Sequence, residues 1–175
     1  PGLTLYTSEH AHSSVEKGAI ALGIGQNHVR KVPVDRAFRM QPEALAEMAA
    51  ADVSRGQRPF CVVATTGTTS TTSIDPVADI LPIARQFGMW VHVDAAYGGP
   101  VAILPEKRHL FSGIEEADSL VINPHKWLFT PMDLSVLYTR RPDILKRAFS
   151  LVPEYLKTAE DYRAVNFMDY GVPLG

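Results

Sequence analysis

Six consecutive apolar residues, Pro59-Phe60-Cys61-Val62-Val63-Ala64, stand between Gly56 and a hydroxyl-rich loop. A run so short and so uniformly apolar reads as a strand buried on both faces. Such a strand needs helices on each side, which restricts the chain to an α/β arrangement with a mostly parallel sheet. The rest of the sequence alternates to match. Leu3–Thr7, His28–Val34, Met89–Val93, Ser119–Ile122 and Leu134–Tyr138 read as further strands. Ser13 or Ser14 opens a helix to about Leu22, stopped by Gly23 and Gly25. Pro42 opens a second, ended by Gly56, with Leu45, Met48, Ala49 and Val53 on one face. Asp75 as N-cap and Pro76 as first residue open a third, in which Val77, Ile80, Leu81, Ala84 and Phe87 keep helical spacing up to Gly88. Pro82 inside it is a kink signal, and Pro142–Phe149 reads as a short fourth helix.

Composition removes several function classes. Lys+Arg is 17 against Asp+Glu 19, a net charge of -2, which lacks the basic excess of a nucleic-acid binder. The apolar runs at 18–25 and 60–64 fall far short of the roughly 18 residues that span a bilayer. No basic-then-apolar leader is visible, and one cysteine, Cys61, fits a reducing compartment, so a cytoplasmic protein is expected. The chain opens on Pro1 and closes on Pro173-Leu174-Gly175, which raises the expectation of a piece cut from a longer protein.

In parallel α/β sheets ligands sit beyond the carboxyl ends of the strands. After Ala64, residues 65–73 hold eight hydroxyls and one glycine, a loop able to offer hydroxyls and amides to an anionic or heteroaromatic ligand, or simply a polar loop. It is no P-loop, since Gly-Lys-Ser/Thr is missing. After Val93 come Asp94-Ala95-Ala96-Tyr97-Gly98-Gly99, an acid followed by small residues that leave room for a flat ligand; alternatively Asp94 caps a turn. After Ile122 come Asn123-Pro124-His125-Lys126-Trp127. A Lys wedged between a loop and an aromatic is partly desolvated, which frees a neutral amine for Schiff-base chemistry; an ordinary surface Lys is the plainer reading. The first helix is preceded by Glu9-His10-Ala11-His12-Ser13-Ser14. His10, His12, His92, Asp94 and His125 are of types that suit zinc. Only His92 and Asp94 share a strand face and no third ligand follows at a recognised spacing, so no metal is expected.

Taken in order, Ser8-Glu9-His10-Ala11-His12-Ser13-Ser14, Gly67-Thr68-Thr69, His92-Val93-Asp94-Ala95-Ala96-Tyr97 and Asn123-Pro124-His125-Lys126-Trp127 resemble the pyridoxal-phosphate-dependent group II decarboxylases. The branch they resemble most is that of the aromatic-L-amino-acid decarboxylases, and the likeness continues through Pro153-Glu154-Tyr155-Leu156-Lys157. The resemblance implies an aspartate-aminotransferase-like large domain with 1–175 as its central part. The N-terminal segment, upstream phosphate loop and small domain of the family have no counterpart in these residues, so the piece alone is expected to be inactive. It implies pyridoxal 5'-phosphate as cofactor, an amino-acid substrate and a homodimer.

Residue by residue, the resemblance implies that Lys126 carries the cofactor as an aldimine and that Asp94 pairs with its pyridine nitrogen. His12 would stack on one ring face and Ala96 pack on the other. Thr69 would bond near the ring, and Asn123 and His125 would help hold the phosphate and orient the linkage. Tyr155 falls at the catalytic-loop tyrosine, where aldehyde-forming relatives carry phenylalanine. A tyrosine there favours decarboxylation to amine and CO2, and at a dimer interface it would serve the neighbouring subunit's cofactor. Rivals on the same fold are a glutamate-type decarboxylase, an aldehyde synthase and an aminotransferase; outside it stand a metal enzyme and a non-enzymatic fragment.

Overall fold

The computed structural model describes residues 2–150 and 167–171. They fall into two units, divided between Tyr138 and Thr139. The first is built on a sheet of β1 (Leu3–Ser8), β2 (Val29–Val32), β3 (Arg58–Thr65), β4 (Trp90–Asp94), β5 (Ser119–Ile122) and β6 (Val136–Thr139), in the order β2-β1-β3-β4-β5-β6. The pairings of β1 with β2 and β3, of β3 with β4 and of β4 with β5 are all parallel. The expected α/β class is therefore found. After β2 the chain returns past β1 to lay down β3, so the order reverses between β1 and β3. Clefts open at such points beyond the strand ends.

Helices α1 (Ser14–Ala21), α2 (Pro42–Ser54), α3 (Val77–Gln86) and α4 (Pro124–Trp127) complete this unit. Tyr6, Val62, Ala64, Val91 and Val93 on one sheet face pack with Leu45 and Ala49 of α2 and Val77, Ile80, Leu81 and Ala84 of α3. The opposite face holds the smaller cluster of Leu5, Cys61 and Val63 with Val15 of α1. The Pro59–Ala64 run is thus buried from both sides. In the second unit α5 (Pro142–Phe149) is followed by a 3-10 turn at Phe167–Tyr170, with Lys146 Nζ 5.2 Å from the centre of the Tyr170 ring. Among the described residues no helix is long and apolar enough to cross a membrane.

Three expectations need correction. Val53 is half exposed; the residue that turns inward near the end of α2 is Asp52, which is buried. Its carboxylate accepts bonds from Tyr6 Oη at 2.7 Å, Arg30 Nε at 2.7 Å and Arg30 Nη2 at 2.9 Å. Asp75 does not cap α3, whose N-cap is Pro76. Its buried carboxylate instead accepts the N–H groups of Met40 at 2.7 Å and Thr65 at 2.8 Å, pinning the loop before α2 to the end of β3. The strand expected over His28–Val34 is shortened by a 3-10 turn at Gln26–His28. Pro82 sits on the solvent side of α3.

Candidate active site

The expected site residues gather at the carboxyl ends of the strands. His12 follows β1, Thr69 follows β3, Asp94 ends β4, Ala96 comes just after, and Asn123, His125 and Lys126 follow β5. Pro124 holds Asn123 extended, at φ -112° and ψ 91°, and opens the single turn of α4. That turn carries His125 and Lys126. The Asn123 N–H donates to Ala96 O at 3.2 Å, so the loops after β4 and β5 are joined by the backbone itself.

Asp94 accepts from the Ala96 N–H at 3.1 Å through Oδ1; no bond to Oδ2 is found among the described residues. Its register partners are Thr65 on β3 and Val121 on β5. Thr65 is buried, and its Oγ1 has no hydrogen-bond partner among the described residues; Thr66 Oγ1 and Ser8 Oγ at neighbouring strand ends are orphaned likewise. Unpaired buried hydroxyls are costly, so three together at one end of a sheet mark a place built for a polar guest. Sequence reasoning gave Thr65 no role beyond that of one residue in the hydroxyl-rich loop and gave Ser8 none, because it ended their strands one residue early, at Ala64 and Thr7.

The hydroxyl-rich loop mostly serves itself. Thr68 Oγ1 lies 2.8 Å from Thr71 Oγ1 and 2.9 Å from Ser73 Oγ, and accepts the Ser73 N–H at 3.0 Å. Thr69 is left exposed. The small residues after Asp94 are also not all vacant space. Ala95 belongs to the core, and a Cβ on Gly99 would come within 2.8 Å of Ile122 Cγ1. Only the buried Ala96 is left to fill the expected role. At Gly98 the chain crosses the threonine loop: its N–H donates to Thr66 O at 3.0 Å, a Cβ would overlap that carbonyl, and Gly67 opposite has φ +87°. Gly98→Ala is expected to cost about 1–3 kcal/mol from forced overpacking against backbone, read as a lower midpoint in chemical denaturation.

His12 is exposed, and its Nδ1 accepts the Ser14 N–H at 3.3 Å and stands 2.9 Å from Ser14 Oγ, which sets the ring's angle. His10 instead meets Phe38 edge-on, ring centres 5.1 Å apart. His125 Nδ1 is 2.6 Å from Leu134 O and 3.1 Å from Leu134 N, and Asn123 Oδ1 accepts the Ser135 hydroxyl at 2.7 Å, so both side chains are moored to the segment before β6. The Trp127 Nε1–H donates to Tyr97 O at 2.6 Å, with the two rings 5.8 Å apart. This pair brackets α4, yet Lys126 itself is exposed, against the expectation that it is wedged and desolvated. Among the described residues no three His, Cys, Asp or Glu side chains form a metal-ligand group. Tyr155 lies outside the described residues.

Residues 2–175 match the family described as the pyridoxal-dependent decarboxylase conserved domain. The chain belongs to the pyridoxal-dependent decarboxylases. It is 43% identical over 176 residues to L-tyrosine/L-DOPA decarboxylase 2 of Lophophora williamsii, covering 98% of this chain and 34% of that one. Among solved structures, mouse CSAD in apo form matches with TM-score 0.91 and 38% identity, over 100% of this chain and 36% of that one. Oryza sativa TDC with PLP and tryptamine matches with TM-score 0.89 and 38% identity, over 96% and 35%. The chain spans about a third of the length of the relatives it matches. The sheet and flanking helices of this family member are those of fold-type I pyridoxal-phosphate enzymes.

Proposed function

We propose that this chain carries the cofactor-binding face of a decarboxylase that converts aromatic L-amino acids to amines and CO2 with pyridoxal 5'-phosphate. The observation that carries the reading is the backbone bond from Asn123 to Ala96, which links the loops bearing Lys126 and Asp94 at the ends of adjacent parallel strands. The residues fit the cofactor: an acceptor oxygen of Asp94 is open, the hydroxyl of its neighbour Thr65 is buried and unpaired, and Ala96 is small.

Bound there, the cofactor would supply a sink for the electron pair left on Cα as CO2 departs. The chain's residues do the rest. Lys126 would hold the cofactor covalently through Nζ, the one nucleophilic amine the described residues offer there. Its exposed position leaves it reachable for that bond. Asp94 would keep a proton on the ring nitrogen, because an adjacent carboxylate favours the charged form. His12, its ring angle fixed by Ser14, and the small Ala96 would give the cofactor ring an aromatic neighbour and an aliphatic one. Thr69, Asn123 and His125 hold the remaining polar atoms. Tyr155 would serve as the general acid that supplies a proton to Cα. Aromatic side chains are favoured as substrates because the relative from Lophophora williamsii is named for tyrosine and DOPA. A homodimer is supported by the fully exposed Phe129 and the exposed Trp127 and Met132 around α4, and a cytoplasmic setting by the single, buried Cys61.

Borohydride reduction of the purified holoenzyme followed by peptide mapping is expected to place a phosphopyridoxyl group on Lys126 and on no other lysine. An unmodified Lys126 would overturn the reading. Incubation with aromatic L-amino acids and with L-glutamate, measuring CO2 and amine, then assigns the substrate class.

A further inference from the structure

The pairing of β1 with β3 ends at Thr7 and Val63. Thr65, two residues further along β3, has run past that pairing, yet it is buried. A buried N–H without an acceptor is costly. Here the acceptor is a carboxylate. The Thr65 N–H donates to Asp75 Oδ2 at 2.8 Å, and Asp75 returns its own N–H to Thr65 O at 2.9 Å. The other oxygen, Oδ1, accepts the Met40 N–H at 2.7 Å from the loop between β2 and α2. Asp75 is itself buried, so these two N–H groups replace the water that its charge would otherwise hold.

The next residue of β3 reaches the site. The Thr66 N–H donates to Asp94 O at 2.8 Å, and Thr66 O accepts the Gly98 N–H at 3.0 Å. Beyond Asp94, the Ala95 N–H donates to Val121 O at 3.1 Å and the Asn123 N–H to Ala96 O at 3.2 Å. A continuous series of bonds therefore runs from the Asp75 carboxylate through the ends of β3 and β4 to the loop that bears Lys126. The Asp94 carboxylate accepts one bond among the described residues, from the Ala96 N–H. Its place is thus set by the backbone of 94–96. We propose that Asp75 is a positioning residue for Asp94: its buried carboxylate takes the place of a neighbouring strand, fixes the carboxyl end of β3, and through Thr66 sets where Asp94 stands. The inference rests on the proposed role of Asp94 toward the cofactor. A clip that served the fold alone would be indifferent to the cofactor. A clip that positions Asp94 is coupled to the cofactor in both directions, since linkage is reciprocal.

The test has two arms. The first needs no substitution. Amide hydrogen exchange is followed in the cofactor-free protein and in the holoenzyme at Thr65 and Met40, the two donors to Asp75, with Val91 as reference. The Val91 N–H is also bonded to a carboxylate, Asp118 Oδ2 at 2.8 Å, but near the amino end of β4. Cofactor loading is expected to slow exchange at Thr65 and Met40 about tenfold more than at Val91, a typical size for coupling between two sites. Equal slowing at all three overturns the proposal, because the cofactor then stabilises only the fold as a whole. The second arm is a double-mutant cycle on CO2 release by the holoenzyme. Asp75→Asn keeps one acceptor oxygen and turns its NH2 toward the other N–H, so one of the two bonds is lost. It is expected to lower CO2 release about tenfold, the size of one hydrogen bond to a charged group, and to shift the visible absorption of the bound cofactor in the direction that Asp94→Asn shifts it. In the Asp94→Asn background no charge is left to place, and the same substitution is expected to change CO2 release less than about twofold. A similar loss in both backgrounds, or none in either, overturns the proposal. If Asp75→Asn fails to fold, the exchange arm decides alone. The Lys126 adduct, measured in every preparation, separates the failures. No adduct in the unsubstituted protein sinks the cofactor reading and this inference with it, whereas a normal adduct with equal exchange, or with losses that add, sinks this inference alone.

Discussion

Asp94→Asn is expected to lower CO2 release about 10²–10³-fold, the size of losing one preorganised electrostatic partner in a site that excludes water. The amide keeps the shape of the carboxylate and can still accept from the Ala96 N–H through its carbonyl. What it loses is the negative charge that favours a protonated ring nitrogen. Covalent attachment depends on Lys126 and not on that charge, so the borohydride adduct is expected to form at near-normal yield. The combination of adduct retained and turnover lost is the diagnostic result. If turnover survives, Asp94 is a turn-capping residue and the reading of the β4 end fails. If the adduct is lost too, the substitution has disturbed the fold, which a denaturation curve would register.

The largest stability effect is expected away from the site. Asp52→Ala leaves Arg30 and the fully buried Tyr6 without their shared acceptor. Removing one member of a buried pair costs about 3–5 kcal/mol; with Arg30 partly exposed, at 26% of its side chain, the low end applies. That corresponds to a fall of roughly 6–12 °C in Tm for a chain of this size. Tyr6→Phe removes one bond only and should cost about 1 kcal/mol. The pH dependence has a definite sign. Burial pushes the Asp52 carboxyl up, but the bonds from Arg30 and Tyr6 and the charges of Arg30 and Arg55 outweigh it and hold the pKa below the ordinary value. A carboxyl depressed on folding gives stability that is present above its unfolded pKa, about 3.9, and lost as pH falls through the folded one. Asp75 behaves oppositely. Burial raises its pKa, against the bonds from Met40 and Thr65. A raised carboxyl favours folding below its unfolded pKa, and that contribution fades as pH rises through the folded value. Asp52→Asn should therefore flatten the acid limb of the stability curve, measured by urea midpoints from about pH 5 downward through the ordinary carboxylate range.

The strand ends were readable because they follow from local chemistry. An apolar run that stops, then an acid, a proline or a glycine, is written in consecutive residues; Asp94, Asn123 and Lys126 were found that way. What stayed hidden depends on residues distant in the chain. Val53 and Asp52 are adjacent, and helical spacing favours the hydrophobic one; only Arg30 and Tyr6, brought in by two strands, make the acid the buried member. Asp75 reads as a cap until Met40 and Thr65 arrive with unpaired N–H groups. Gly98 looks like room for a ligand until Thr66 crosses it. The alternation Trp90-His92-Asp94 against Val91-Val93 was visible, but its partner Ser119 lies a strand away. The exposure of Lys126 was not legible either, since flanking aromatics say nothing of what covers a four-residue turn.

The chain's two tryptophans are each held by the indole N–H: Trp90, which opens β4 at its amino end, to Ser119, and Trp127, in α4 next to Lys126, to the Tyr97 carbonyl. Their ultraviolet emission is thereby divided by location. Trp90 is half-buried and is expected to emit at shorter wavelength; the more exposed Trp127 is expected to emit at longer wavelength. A near-ultraviolet-absorbing ligand seated at the carboxyl ends of the strands would lie next to Trp127's turn and four residues along β4 from Trp90, so it is expected to dim Trp127 the more. The protein thus carries a lamp at the site and a second, more distant one against which to read it.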